Sequence, residues 1–237
     1  MTMSTVAPSK TCGKFMAKRV VAFMREIGAD QGDITVKSDQ EPALLALIRE
    51  IGAHRAAGGG GRMVVESSPV GDSKGNGMVE RAIKSVQGQI RVLRSALEDR
   101  IQAKLEPDNA VFAWMTEYAS VLLNRFEVSK DGMTAYERNK KKKAKAFGLK
   151  RKPSGGHLGK LTCMWDDGVY LGMKSATGEL VIGTKSGVWR TRTVRRKPVE
   201  ERWAAKNMLM VGGVPWNTNE ADENPDGQAM RGGVIRL

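Results

Sequence analysis

Aromatic residues are scarce in this sequence, at 5%, and cysteine and histidine are scarcer still. Two cysteines, Cys12 and Cys163, and two histidines, His54 and His157, are too few and too scattered for a zinc cluster or a disulfide framework. That cysteine usage points to a reducing, intracellular compartment. No apolar run approaches the roughly 20 residues needed to cross a bilayer, so no membrane partner is expected. The first residues, Met1 to Lys14, carry no apolar segment of the signal-peptide kind. What is abundant is positive charge and glycine. The 237 residues carry a formal net charge of +13, with 27 glycines and 41% hydrophobic residues. This is enough for one moderate core and a smaller module, and the charge points to a polyanion, of which nucleic acid is the default.

Periodicity divides the chain. Residues 1–13 show no pattern and are expected to be disordered. Phe15, Val20, Phe23, Met24 and Ile27 recur at helical spacing before Gly28, which predicts a helix over Lys14–Ile27. Ile34–Asp39 alternates as a strand does, and Pro42 opens a helix to about Ile51 with a broad apolar face. Gly58–Gly61 reads as a flexible break, and Met63-Val64-Val65 as a short strand. From Gly77 to about Leu105, Val79, Ile83, Val86, Ile90, Leu93 and Leu97 form one stripe of a long helix expected to be buried. A further helix is predicted from Asn109 to Asn124, with Val111, Phe112, Met115, Tyr118, Ala119 and Leu122 inward.

The lysine-rich stretch 139–156 marks a domain boundary, ended by Pro153-Ser154-Gly155-Gly156. Its charge suits a solvated linker, a phosphate contact or a nuclear import signal. Beyond it, Leu158–Met164, Asp167–Met173, Glu179–Thr184 and Gly187–Val194 are short runs split by glycine turns, the pattern of a small antiparallel β-module over 157–203. Residues 204–237 are polar and rich in glycine and asparagine, and are expected to be largely disordered.

Two acids stand out. Asp39 ends a predicted strand, and Glu80 lies on the first turns of the long basic helix. A strand end and a helix face can deliver two carboxylates to one divalent cation, and Mg²⁺ prefers such hard oxygen ligands. The plainer readings are a helix cap for Asp39 and a solvated charge, or an i,i+4 pair with Lys84, for Glu80. Glu80, Lys84, Gln87, Arg91 and Arg94 share the helix face opposite the apolar stripe, so cations able to hold phosphates accompany the acid. In the β-module, Arg190 and Arg192 alternate toward one strand face, which suits backbone contacts. Trp165, Tyr170 and Trp189 read as its small core rather than as stacking platforms. Gly71–Gly77 lacks the ending of a phosphate-binding P-loop and reads better as a loop touching DNA backbone through Lys74.

Ser38-Asp39-Gln40-Glu41-Pro42-Ala43, Ser67-Ser68-Pro69 and Asn76-Gly77-Met78-Val79-Glu80-Arg81 together resemble the catalytic core of retroviral and retrotransposon integrases. Leu122-Leu123-Asn124-Arg125, Thr134-Ala135-Tyr136-Glu137 and Gly168-Val169-Tyr170-Leu171-Gly172 are similar to copia-type polyproteins. The resemblance spans roughly residues 14–203. It implies an RNase H-like core followed by a small SH3-like barrel. It also implies three acids binding two Mg²⁺ or Mn²⁺ ions for polynucleotidyl transfer to DNA. Asp39 matches the second acid and Glu80 the third. The interval between them is longer than in retroviral relatives, an excess that Gly58–Gly61 absorbs. The family's first Asp belongs to an opening meander that would precede the Lys14–Ile27 helix, and Asp30 and Asp33 occupy a turn that cannot replace it. The family's zinc-binding N-terminal module has no counterpart here. The resemblance therefore implies an N-terminally truncated integrase with a partial RNase H-like core, binding DNA, retroelement ends and target alike, without strand transfer. A homo-oligomer and a nuclear location fit it. A non-catalytic basic nucleic-acid-binding module and a decayed reading frame are the alternatives.

Overall fold

The computed structural model describes residues 1–9, 13–67, 77–144, 165–174 and 177–218, and the backbone of 234–236. They form a mixed helix-and-strand structure that includes a small antiparallel three-stranded sheet. The chain divides into two compact units, Ala7–Ser85 and Val86–Leu237, the second also taking in Thr2–Val6. The division falls inside a helix and not at the lysine-rich stretch.

The first unit holds α1 (Gly13–Ile27), β1 (Ile34–Ser38), α2 (Pro42–Ala57), β2 (Met63–Ser67) and the beginning of α3 (Gly77–Ile101). β1 and β2 pair in parallel, Ile34 opposite Met63 through Ser38 opposite Ser67, with α2 as the crossover. Ala17, Val21 and Ile51 form the buried centre where α1 packs on α2, with Leu47 and Met63 against it. α2 runs six residues past the expected end at Ile51 because its last turn is needed to bury Arg55, only 2% exposed. The Arg55 guanidinium donates to the carbonyls of Gly61 and Gly32, and at 3.4 Å to that of Ala29. One buried side chain thus ties the turn before β1 to the turn before β2.

This anchor overturns the reading of Gly58–Gly61 as a flexible break. A Cβ on Gly60 would lie 2.5 Å from Arg55 Cγ and 2.7 Å from the Asp30 carbonyl; on Gly61 it would lie 2.8 Å from the Gln31 carbonyl. The glycines are there because two backbone turns close on each other around the guanidinium. Asp33, on the facing turn, accepts from the Arg62 amide at 2.8 Å.

The second unit centres on α4 (Ala110–Phe126), capped by the Asn109 side chain accepting from the Val111 amide at 2.9 Å. α5 (Ala135–Lys140) follows, opened by a reciprocal capping box between Thr134 and Glu137. The strands are β3 (Trp165–Asp167), β4 (Val169–Met173), β5 (Leu180–Thr184), β6 (Gly187–Thr191) and β7 (Val194–Arg195); α6 (Ala205–Leu209) and β8 (Val234–Arg236) complete it. β4, β5 and β6 form the antiparallel sheet, whereas β3, β8 and β7 form a separate parallel one. The expected strand Leu158–Met164 lies outside the described residues.

Three expectations about boundaries change here. The β-module is not separate from the helices: Val169, Leu171, Val181 and Val188 share one core with Ile101, Leu105, Val111, Trp114 and Met115. Short strands with so few apolar residues bury too little by themselves, and α4 supplies the missing surface. The tail expected to be disordered from 204 is ordered over 205–218, where Met208 and Val211 join that core and Trp114 Nε1 donates to the Gly213 carbonyl at 3.1 Å. At the other end, Thr2 exchanges hydrogen bonds of 2.7 and 2.6 Å with the Asn124 side chain, and Thr5 donates to Glu117 at 2.8 Å. The polar start of the chain is therefore held along α4 rather than disordered. Its signal was invisible in sequence because hydroxyls and backbone amides carry no periodicity.

The long apolar stripe of α3 also departs from expectation. Val86 is buried and Ile90, Leu93 and Leu97 pack on the second core, but Val79 is 58% and Ile83 51% exposed. A stripe records which side of a helix is apolar; whether anything covers it is a tertiary matter.

Candidate metal site and nucleic-acid interface

Asp39 directly follows β1, in the three-residue connection to α2. It is not the cap of that helix: the N-cap is Glu41, in extended conformation, with Pro42 as the first helical residue. Glu80 lies in the first turn of α3, where the partial positive charge of the helix N-terminus favours a carboxylate. Both side chains are exposed, and both belong to the first unit. Glu80 makes no ion pair with Lys84 among the described residues, which leaves the i,i+4 pairing unrealised.

No group of three His, Cys, Asp or Glu side chains placed to hold a metal ion occurs among the described residues. A pair of ions about 3.5–4 Å apart needs more carboxylate oxygens than Asp39 and Glu80 can offer. These two residues by themselves do not fit a two-metal centre.

Of the expected phosphate contacts, Lys84, Gln87 and Arg91 lie exposed along α3. Arg94 does not belong with them. Its Nε donates to Glu98 at 2.8 Å, its Nη2 to the Leu105 carbonyl at 3.2 Å, and its guanidinium lies 5.0 Å from the Phe112 ring centroid. This side chain closes the C-terminal end of α3 and is spent on structure. Lys74 lies outside the described residues. Arg190 stands exposed on β6 opposite Val181. Arg192 falls just past the end of β6, with Nε 3.8 Å from a Glu179 oxygen. The two arginines are both exposed, yet the strand alternation expected to align them stops at Thr191. Tyr170 and Trp189 pack against Leu180, Ile182 and Val194, in keeping with a role in the small core. Burial pushes the Tyr170 phenol well above its ordinary range, with Tyr118 adding to the shift.

Glu98 is the acid that sequence reasoning missed. It is only 7% exposed, and accepts from Lys104 Nζ at 2.8 Å, from Arg94, and from the Leu105 amide at 3.1 Å. Lys104 first, then Arg94 and the amide, hold its carboxyl down at about 2. The available signal was an Arg–Glu pair at i,i+4 close to the end of a helix, which is too common to single out. Because the folded pKa lies below the ordinary 4.5, the stabilisation is complete above that value and disappears as pH falls toward 2. Thermal unfolding followed by tryptophan fluorescence should show the melting temperature dropping across that window. In Glu98→Gln the melting temperature at neutral pH should be lower and the acid-dependent drop smaller. An unchanged acid limb in the variant would remove Glu98 from this role.

The geometry thus separates the expected residues. Asp39 and Glu80 remain as two exposed acids, Lys84, Gln87, Arg91 and Arg190 as exposed basic or amide side chains, and Arg94 as a structural clamp. Compared with models of known protein families and with curated proteins, the sequence shows no match to either.

Proposed function

We propose that this chain is a copia-type retrotransposon integrase-like polypeptide that binds DNA without carrying out strand transfer. In this reading, residues 14–138 derive from an RNase H-like core and 157–203 from an SH3-like β-module. The observation that carries it is the parallel β1–α2–β2 unit, with Asp39 at the carboxyl end of β1 and Glu80 one turn into α3. For contact with DNA the first unit offers the exposed Lys84 and the second unit the exposed Gln87, Arg91, Arg190 and Arg192, and the chain carries a net charge of +13. Such contacts go to phosphates and give little sequence preference. A nuclear location follows from the DNA partner and from the Lys140–Lys152 run.

A second reading, a basic nucleic-acid-binding module in which both acids are structural, is favoured by the lack of a third ligand among the described residues. The two differ in metal dependence. In the integrase reading, Mn²⁺ or Mg²⁺ uptake persists at Asp39 and Glu80 and is lost in Glu80→Gln; in the module reading, no such uptake exists.

DNA affinity measured against salt tests the shared part. Binding of a short duplex, read by fluorescence anisotropy, should weaken linearly in log affinity with log salt. The double substitution Lys84→Gln/Arg91→Gln should reduce that slope by roughly 1.8, about 0.9 for each phosphate contact removed. No binding at low salt, or an unaltered slope, would sink the reading. Vigorous metal-dependent DNA cutting or joining that vanishes in Asp39→Ala would instead restore a working enzyme.

A further inference from the structure

The second unit contains a cavity of about 580 Å³ between the C-terminal part of α3, α4, the small sheet and the segment through α6. Neither the acids nor the basic face of α3 takes part in it. Its volume falls within the range of small-molecule sites, about 300–1,000 Å³. Its floor is apolar: Val111, Val169, Leu180 and Met208 are all buried, and Leu122 from α4 continues the wall.

The solvent end has a different chemistry. Arg100, Arg196, Lys197 and Arg202 line it, against one carboxylate, Asp167. Lys197 Nζ lies 2.6 Å from Asp167, so that pair neutralises itself and three guanidinium groups remain. Two of the three are held in place. Arg100 stacks over the Trp203 ring at 4.9 Å, and Arg202 Nε donates to the Lys197 carbonyl at 2.6 Å. Arg196 is exposed and makes no ion pair among the described residues. Guanidinium groups fixed by stacking and hydrogen bonding lose little freedom when they meet a planar anion.

We propose that this cavity binds a small organic anion with an apolar body, its carboxylate at the arginines and its hydrocarbon part against the floor. An inorganic anion would leave the apolar floor unused. A nucleobase would bring several donors and acceptors into a pocket whose lining offers one side-chain amide, Asn207, and those left unpaired would weaken binding. An aromatic acid and an acyl acid share the required chemistry, and the four aromatic side chains in the wall, Tyr118, Phe126, Tyr170 and Trp203, suit the first. The inference rests on the second unit alone and stands apart from DNA binding.

Isothermal titration of the full chain with 2-naphthoate, octanoate and the neutral 2-naphthamide tests it. At least one of the two acids should bind, about tenfold or more tighter than the amide, and which acid wins assigns the body as aromatic or acyl. Arg100→Gln/Arg196→Gln should weaken the acid about tenfold or more and leave the amide unchanged. Leu122→Trp, which fills the wall, should abolish binding of both. Arg196→Gln alone, at an exposed position that folding does not need, keeps the test decisive if the larger variant does not fold. Absence of binding by either acid, equal affinity for acid and amide, or indifference to loss of the arginines would overturn the proposal. Lys84→Gln/Arg91→Gln should not affect naphthoate, so failure here and failure of the DNA reading can be told apart.

Discussion

Trp114→Ala is expected to destabilise the second unit by about 3–5 kcal/mol, the usual cost of deleting a large aromatic side chain from a packed core. Trp114 is 4% exposed on α4, in the cluster that gathers Ile101 at the end of α3, Leu105 just after it, the sheet residues Val169 and Val181, and Met208 and Val211 beyond it. Its indole N–H also donates to the Gly213 carbonyl. The substitution therefore removes packing from the helix, the sheet and the 205–218 segment at once, and leaves the half-buried Gly213 carbonyl without its donor. Urea unfolding followed by far-ultraviolet circular dichroism should show the midpoint of the second-unit transition falling steeply. Limited proteolysis should then cut first within 205–218. If that segment stays protected while the midpoint falls, the tie between Trp114 and Gly213 contributes nothing. Trp114→Phe keeps most of the apolar volume and loses the hydrogen bond, so it should fall well short of the alanine effect.

Arg55→Ala should have the next largest effect, about 3 kcal/mol, confined to the first unit. Three carbonyls from two turns lose their common donor, and the void beneath Gly60 opens. The turns are also joined by the Asp33 side chain, which accepts from the Arg62 amide at 2.8 Å, and by the Gly61 amide, which donates to the Gln31 carbonyl at 2.7 Å, but neither gives the three carbonyls the donor they share. All five tryptophans of the chain lie at position 114 or later, so their fluorescence does not report on this unit. Hydrogen exchange at the amides of β1 and β2 does. Protection there should collapse in Arg55→Ala and recover only partly in Arg55→Lys, because an ammonium cannot span carbonyls that the planar fork reaches together. Full protection in the alanine variant would mean that the two glycine turns close without the arginine.

The two substitutions bear on the proposed function in different ways. The first unit carries Asp39 at the end of β1, so loosening β1 should disperse any cation uptake that Asp39 and Glu80 share. The second unit carries Arg190 and the cavity. DNA affinity that survives Arg55→Ala but not Trp114→Ala would locate most of the phosphate contacts beyond residue 85.

Much of the local structure was legible in the residues. The helix over Lys14–Ile27, the strand before Asp39, the Pro42 helix start, the long helix from Gly77 and the helix that begins near Asn109 all agree with what hydrophobic spacing and helix-start chemistry predict. α5 carries Thr134 and Glu137 at capping-box spacing, but its six residues are too few to show a hydrophobic period. Trp114, three residues after Val111, also stands at helical spacing and joins the buried face of α4. In the structure the helix is buried over a wider arc than one stripe. At the site, Asp39 and Glu80 kept the local settings expected of them, whereas Arg94 did not.

The sequence by itself determined where the helices and strands run, since those depend on neighbours three, four or two residues away. It also determined the excess of positive charge. Only the tertiary structure decided that Arg55 is buried among carbonyls, that Arg94 serves Glu98 and not a phosphate, and that residues 205–218 complete a core with α4. Each of those outcomes depends on groups brought together from distant parts of the chain, and no local period records which distant partner a side chain will meet.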